Sequence, residues 1–183
     1  MRKIFLTLGL ASTLLLLSDE LKIDTTHSSV AFSTKHLLVS NVKGDFKQFA
    51  GKIDFDWQSK MLKKLEGEID IASIDTNNQK RDDHLRSADF FDVAKNPKAY
   101  FKMTKQSGNQ IFGTLTLAGV SKDVVFQIEM SDTATHPKTK KKIIGFEITG
   151  EINRKDFGIG KNVLDSMIKD KIKIIINLEA SQL

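Results

Sequence analysis

"HSSVAFSTKHLLVS", residues 27–40, changes in character at every second position. Val30, Phe32 and Thr34 share one face of an extended chain, and the residues between them are small or polar. A period of two residues is typical of a β-strand with one apolar and one wetted face. The same period recurs in five later stretches, each of which has its own apolar face. These faces consist of Ile53, Phe55 and Trp57; Ile69 and Ile71; Phe126, Ile128 and Met130; Ile144, Phe146, Ile148 and Ile152; and Ile172, Ile174, Ile176 and Leu178.

The connections between these stretches fit an antiparallel arrangement. Turn residues around Gly108, Gly119 and Pro137 separate alternating segments, where hairpins belong. Seven or eight such strands close most easily into a barrel or a sandwich. The length of 183 residues is that of one domain. We therefore predict a single all-β domain.

The first residues have the plan of a secretory signal peptide. Arg2 and Lys3 precede an apolar run, Ile4–Leu17, and the chain turns polar after Ser18. This run is shorter than the roughly 20 residues that span a bilayer. We predict a signal peptide over residues 1–18 and a mature domain over 19–183, with an uncleaved anchor as the alternative. Loss of the two basic residues would lower the net charge from +5 to +3.

One helix is predicted between the strands, around "RDDHLRSADFFD", residues 81–92. The Thr76-x-x-Gln79 spacing predicts a capping box at its start, and the helix would run to about Ser87. Asp82 and Arg86 are four residues apart and are expected to pair on its surface. The charges of this segment would face water or one another, while Phe90 and Phe91 anchor its end to the barrel.

Several kinds of chemistry are disfavoured. The chain has no cysteine, which excludes disulfides and thiolate sites. The positions three and four residues from His84 hold no metal ligand, and no nucleophile motif is present, so we predict neither a metal nor a cofactor. "FGIGKN", residues 157–162, is interpreted as a glycine-rich turn at a barrel rim. The modest charge and the export signal disfavour nucleic-acid binding.

Four blocks of the sequence resemble, in order, those of the YceI-like family. They are "IDTTHSSVAFSTKHLLVSNVKGDFKQFAGKIDFD", "IASIDTNNQKRDDHLRSADFFDVAKNPKAYF", "GTLTLAGVSKDVVF" and "INRKDFGIG", and they cover nearly the whole chain after residue 22. The resemblance implies an exported protein with an extended, lipocalin-like antiparallel β-barrel of about eight strands. It implies a short helix between strands and a helical or looped segment near residues 154–168. It further implies an elongated internal tunnel for a polyisoprenoid or another long-chain amphiphile, and often a dimer.

Such a tunnel would be lined by the apolar strand faces. The alternative is an ordinary barrel core, since small barrels are often filled by their own side chains. Thr34, where the family more often has an aliphatic residue, would add one polar spot to the lining. The expected lining residues are Phe32, Phe55, Ile71, Phe101, Phe126, Phe146, Ile148, Ile174 and Ile176; the candidates for contact with a head group or for a lid are His36, Asn78, Arg81, His84, Arg154 and Asp156.

Those polar candidates also have structural explanations. His36 shares the strand face of Val30 and Phe32 and would point inward, either as a satisfied core histidine or as a head-group contact. Arg81, Arg154 and Asp156 are more typical of ion pairs that fix loops.

The function expected from this resemblance is non-catalytic binding, carriage or sequestration of a long-chain lipid in the periplasm or outside the cell. One alternative is an enzyme that acts on an isoprenoid or fatty amide through His36 or His84. Another is a structural protein whose interior is filled by its own side chains. A homodimer is a further expectation. The basic run Lys138–Lys142 is interpreted as a solvated hairpin tip, with transient contact with an anionic membrane surface as the alternative.

Overall fold

The computed structural model describes residues 19–183, so the predicted signal peptide lies outside the described residues. Within this range most residues lie in strands, with one α-helix and two short 3₁₀ turns, Ile71–Ser73 and Arg154–Phe157. The elements are β1 (Asp19–His36), β2 (Ser40–Phe46), β3 (Phe49–Asp56), β4 (Met61–Asp70), β5 (Ile74–Asp75), α1 (Gln79–Arg86), β6 (Lys98–Ser107), β7 (Gln110–Leu117), β8 (Val120–Met130), β9 (Ala134–Thr135), β10 (Lys142–Asn153) and β11 (Lys171–Gln182).

Eight antiparallel strands form a closed ring. Their order around the barrel is β1-β3-β4-β6-β7-β8-β10-β11, and pairing between β11 and β1 closes it. The short strands β5 and β9 pair at the margins, with β2 and β10 respectively. The predicted all-β barrel of about eight strands is confirmed. No helix among residues 19–183 has the length and apolarity to cross a bilayer.

Strand β1 is 18 residues long and serves both halves of the barrel. Its first residues, 19–21, pair with β3, whereas Val30–His36 pair with β2. Its pairing with β11 is interrupted between Asp24 and Ser29 by a bulge. A bulge bends a strand and increases its twist. The bulge therefore lies between the part of β1 that follows β3 and the part that follows β2.

The inward residues fill one end of the barrel. Phe55 contacts Trp57 edge-on, with ring centroids 5.0 Å apart, and Phe146 at 5.8 Å. The Trp57 indole N–H donates to an Asp19 carboxylate oxygen at 2.9 Å, which satisfies its polar atom. Ile53 is fully buried beside them. In the other half of the barrel, inward residues such as Phe101 border a cavity instead.

The helix prediction is correct in place and wrong in detail. Asn78 is the N-cap, and its side-chain oxygen accepts from the Arg81 amide at 3.0 Å. The predicted capping box does not form, because the Thr76 hydroxyl donates to the buried Asp82 carboxylate instead. Asp82 therefore does not form the predicted pair with Arg86, and Arg86 pairs instead with Asp83 at 3.1 Å.

The segment after the helix attaches to the barrel as expected. Phe90 is buried, and the Phe91 ring contacts Phe46 edge-on at 6.4 Å between centroids. Turns occur around Gly108, Gly119 and Pro137, as predicted. Residues 154–168 form a 3₁₀ turn followed by a loop, which confirms the helical or looped segment implied by the resemblance.

Asp56 organises the turn between β3 and β4. Its carboxylate accepts from the Ser59 hydroxyl at 2.7 Å and from the amides of Gln58 and Ser59 at 2.9 and 3.1 Å. The Lys63 amine lies 3.4 Å away. The Ser59 hydroxyl and these other donors lower the pKa of Asp56 to about 2.

This depressed pKa predicts a pH-dependent contribution to stability. A carboxylate with a lower pKa in the folded protein stabilises the fold above its unfolded pKa, near 3.8, and loses that contribution as pH falls towards 2. We expect Asp56→Asn to unfold at lower urea concentration than wild type at pH 7. The difference should shrink below pH 4, and an unchanged difference down to pH 2 would contradict this account.

Because one half of the interior is filled and the other is hollow, truncation of an inward phenylalanine should lower the free energy of unfolding by different amounts in the two halves. Phe146→Ala should cost about 3–5 kcal/mol in unfolding free energy, because it empties a filled core. Phe101→Ala should cost less than half as much, because that ring already borders a cavity. Urea unfolding of both variants measures the difference. Equal costs would mean that the cavity half is packed as tightly as the other.

Candidate functional site

A cavity of about 810 Å³ occupies the hollow half of the barrel. This volume lies within the range of roughly 300–1,000 Å³ typical of small-molecule sites. Strands from most of the ring contribute to its wall, together with the segment that contains α1 and the loop after β10. The cavity is therefore internal to the fold and not a groove on its surface.

The cavity follows the strands. On β11, four alternate residues face it, from Ile172 to Leu178, a distance of about 20 Å along a strand. On β1 the lining residues are Ile23 and several residues from Val30 to His36. The space is thus long relative to its volume, which suits a chain better than a compact molecule.

Paired aromatic rings form much of the wall. Phe101 and Phe126 lie 5.7 Å apart between centroids, and Phe32 and Phe46 are separated by the same distance. Phe126 sits directly on Gly150, where a β-carbon would come within 2.3 Å of its ring. The absence of a side chain at Gly150 therefore lets this ring pack against the β10 backbone.

Seven of the nine expected lining residues lie in the cavity wall. Phe55 and Phe146 do not, because they belong to the filled end of the barrel. Ile71 is in the wall although β4 ends at Asp70, since it follows in a 3₁₀ turn. The seven are Phe32, Ile71, Phe101, Phe126, Ile148, Ile174 and Ile176.

Other wall residues were not among those predicted from the sequence. Leu115 and Leu117 line the cavity from β7, and their alternation in "GTLTL" was available as a signal. Ile159 and Ile168 reach the wall from the loop after β10, where no periodicity marks them. Thr34 lies in the wall as expected, but its hydroxyl donates to the Lys169 carbonyl at 3.2 Å. Its polarity is therefore largely satisfied within the protein.

Exposed polar residues surround one end of the cavity, which we call the mouth. They are His36, Ser40, Asn41, Lys43, Asn77 and His84, and each is both exposed and part of the lining. The mouth thus combines an apolar interior with polar groups at the point where water begins.

Arg81 and Asn78 have mainly structural contacts. The Arg81 guanidinium donates to the Thr76 hydroxyl at 2.7 Å and to the Thr76 carbonyl at 2.8 Å, although it also borders the cavity. Asn78 caps the helix and lies outside the lining. Arg81 thus ties the first turn of α1 to the residue that follows β5, and Asn78 caps the helix.

Arg154 braces the loop that follows β10. It is 2% exposed, and its guanidinium donates to the carbonyls of Ile159 and Val163 at 3.0 and 2.8 Å. The same group lies 2.7 Å from an Asp170 carboxylate oxygen. Arg154 therefore fixes this loop while one side of it borders the cavity. Asp156 is exposed and lies outside the lining.

The two histidines considered for catalysis are both at the mouth. His84 Nε2 lies 3.4 Å from an Asp89 carboxylate oxygen, and its ring contacts Phe90 edge-on. His36 forms a backbone bridge with Ile168. A general base must reach the proton that it abstracts. Both histidines are exposed and border the cavity.

One group of potential metal ligands lies away from the cavity. Asp24 and Glu179 are cross-strand partners at the β1 bulge, and His27 joins them, with the ligand atoms within 4.8 Å of one another. His27 Nδ1 lies 3.0 Å from Asp24, and this hydrogen bond raises the pKa of His27 and lowers that of Asp24. These contacts explain the trio as a stabilised bulge on the outer face.

The chain is similar to known proteins in sequence and in structure. The profile of the YceI-like domain matches residues 21–180. A UPF0312 protein of Staphylococcus epidermidis is 40% identical over 139 residues, which cover 76% of this chain and 81% of that protein. A UPF0312 protein of Staphylococcus aureus is 36% identical over the same length.

Solved structures agree with this assignment. The crystal structure of a Campylobacter jejuni YCEI protein matches with a TM-score of 0.75 at 42% identity, over 81% of this chain and 90% of that one. A polyisoprenoid binding domain from Saccharophagus degradans matches with a TM-score of 0.65 at 15% identity, over 91% and 100% of the two chains. The second likeness shows the fold alone. The chain belongs to the YceI-like family.

Proposed function

We propose that this protein binds and carries a long-chain amphiphile, a polyisoprenoid or a fatty-acid-like lipid, without chemical change. The observation that carries the proposal is the elongated apolar cavity of about 810 Å³ with a polar mouth at one end. A chain would lie along the strands, and its polar end would remain at the mouth.

The affinity for a chain would come mainly from the wall. Each methylene removed from water contributes roughly 0.8 kcal/mol. Rings such as Phe32, Phe101 and Phe126 already pack against their neighbours, so little side-chain conformational freedom would be lost on binding. The cavity needs few polar contacts to hold a chain, which favours recognition by length and shape.

The polar end of the ligand would meet donors at the mouth. His36 and His84 carry imidazoles there, and Lys43 and Asn77 add an ammonium and an amide. A hydroxyl, a carboxylate or a phosphate would each find partners in this set. The set therefore fits the head group of an amphiphile better than the end of a plain hydrocarbon.

The known relatives support the chemical class. The Saccharophagus degradans domain that shares this fold is described as a polyisoprenoid binding domain. Export to the periplasm or the cell exterior, from the predicted signal peptide over residues 1–18, is part of the proposal. A carrier of this kind would bring a lipid through water. Assembly as a homodimer is likewise proposed from the family resemblance.

A cavity-filling substitution tests the site. We expect Ile176→Trp to weaken binding of cis-parinaric acid, a fluorescent fatty acid, at least about tenfold, because the indole displaces two or more methylenes from the wall. The matched control is Val125→Trp on β8, whose residue is exposed and outside the lining. Fluorescence titration measures both. Equal binding by the two variants would contradict the proposal.

The same experiment separates carriage from catalysis. The fatty acid recovered after incubation with wild type should be chemically unchanged. A product that forms with wild type and is lost in His36→Ala or His84→Ala would favour an enzyme instead.

A further inference from the structure

Five large apolar side chains are exposed together beside the mouth. They are Leu37, Leu38 and Val39 at the turn between β1 and β2, and Leu164 and Met167 in the loop after β10; we call them the hairpin patch. Val39 is 83% exposed and Leu164 is 64% exposed. A hydrogen bond from the Leu37 amide to the Met167 carbonyl, at 2.9 Å, joins the two segments. Contiguous exposed apolar side chains usually mark an interaction surface.

The backbone at this turn is strained because its two central residues are leucines with positive φ angles. The Val39 amide donates to the His36 carbonyl at 3.1 Å, and the two residues between them, Leu37 and Leu38, have φ angles of 49° and 62°. This φ pattern is that of a type I′ turn, which strongly favours Asn-Gly. Bulky residues with positive φ are uncommon and cost energy. Two leucines at these positions serve neither the turn nor the core.

The patch is continuous with the cavity. His36, which immediately precedes it, lines the mouth and bridges to Ile168, another wall residue. The Lys169 amide also donates to the Lys35 carbonyl at 3.0 Å. Whatever covers the hairpin patch would therefore lie directly against the mouth.

The charge around the patch is positive. Residues 35–43 contain Lys35 and Lys43 and no acidic residue. Residues 161–169 contain Lys161 and the pair formed by Asp165 and Lys169. Among residues 19–183, no carboxylate forms an ion pair with Lys35, Lys43 or Lys161. The surface thus presents apolar side chains framed by unpaired ammonium groups.

We propose that the hairpin patch docks on an anionic lipid surface, inserts its leucines between the head groups, and holds the mouth against the bilayer. Apolar insertion combined with basic residues is a recurrent way to bind a membrane interface. A second copy of the chain is a poor occupant, because a two-fold pairing of this patch would bring like-charged lysines together. Transfer of the ligand between cavity and bilayer rests on the proposed function; the docking itself does not.

The basic run Lys138–Lys142 does not share this location. The run leads into β10, whose first residue is Lys142. The mouth lies near the other end of this strand, at Asn153, about 35 Å away. A membrane bound at Lys138–Lys142 would leave the mouth facing water. These lysines therefore provide a matched control.

A local probe tests the docking. Because the chain has no cysteine, Val39→Cys can carry a single environment-sensitive fluorophore. We expect a blue shift when vesicles of phosphatidylcholine and phosphatidylglycerol in equal parts are added, and no shift from the same label at the exposed control Val125→Cys. A site-specific label also separates the patch from any membrane contact of Ile4–Leu17. No shift at residue 39, or equal shifts at both, would overturn the proposal.

Two sets of substitutions separate its components. Leu37→Asn with Leu38→Gly should unfold at the same or a higher urea concentration, since Asn-Gly suits the turn, yet bind these vesicles at least about tenfold more weakly. Lys35→Gln and Lys161→Gln should each weaken binding about fivefold, whereas Lys138→Gln and Lys141→Gln should not. Unchanged vesicle binding by the Asn-Gly variant would refute insertion of the leucines.

The remaining outcomes separate docking from carriage. If the protein binds cis-parinaric acid in vesicle-free buffer but the label at residue 39 does not shift when vesicles are added, docking is overturned and the proposed function stands. A response at residue 39 without fatty-acid binding would support docking and reject the proposed function. Sedimentation that shows a dimer in wild type, lost in the Asn-Gly variant, would make the patch a contact between copies and overturn the membrane proposal.

Discussion

The antiparallel pairing of β1 with β11 is the interaction on which the rest of the structure depends. It joins the first and last strands, so an otherwise open sheet becomes a ring of eight. Closure removes the free edges that an open sheet would expose. It also gives every inward side chain a common interior, because strand residues alternate between the two faces. The long β1 contributes to both halves of that interior, first beside β3 and then beside β2.

The interior that closure creates is filled unequally. Phe55, Trp57 and Phe146 interlock at one end, whereas at the other end Phe101 and Phe126 pair with each other and border the cavity. The hollow half is elongated and its mouth is polar, which is the shape of a site for a chain with a head group. Arg154 supports this arrangement, because it fixes the loop at the open end without any need for a ligand.

The period of two residues predicts which strand residues point into the barrel. It does not predict where along the barrel axis each of them lies. Phe55, Phe101 and Phe146 all occupy inward positions, and only the strand register decides which of them borders space. The capping box failed for a related reason: the buried Asp82 carboxylate competes for the Thr76 hydroxyl, a contact that local spacing cannot reveal. The hairpin patch had a local signal, since Leu37 and Leu38 occupy a short turn without glycine or asparagine.

The mouth connects these features, because the polar rim, the braced loop and the strained turn all meet at one end of the cavity. The central claim is that this cavity holds a chain. Native mass spectrometry of the protein purified from the cells that produce it, followed by organic extraction, tests that claim most directly. A mass excess that extracts as one long-chain amphiphile is the predicted result. A bare protein that also takes up neither added octaprenol nor an added fatty acid would contradict it.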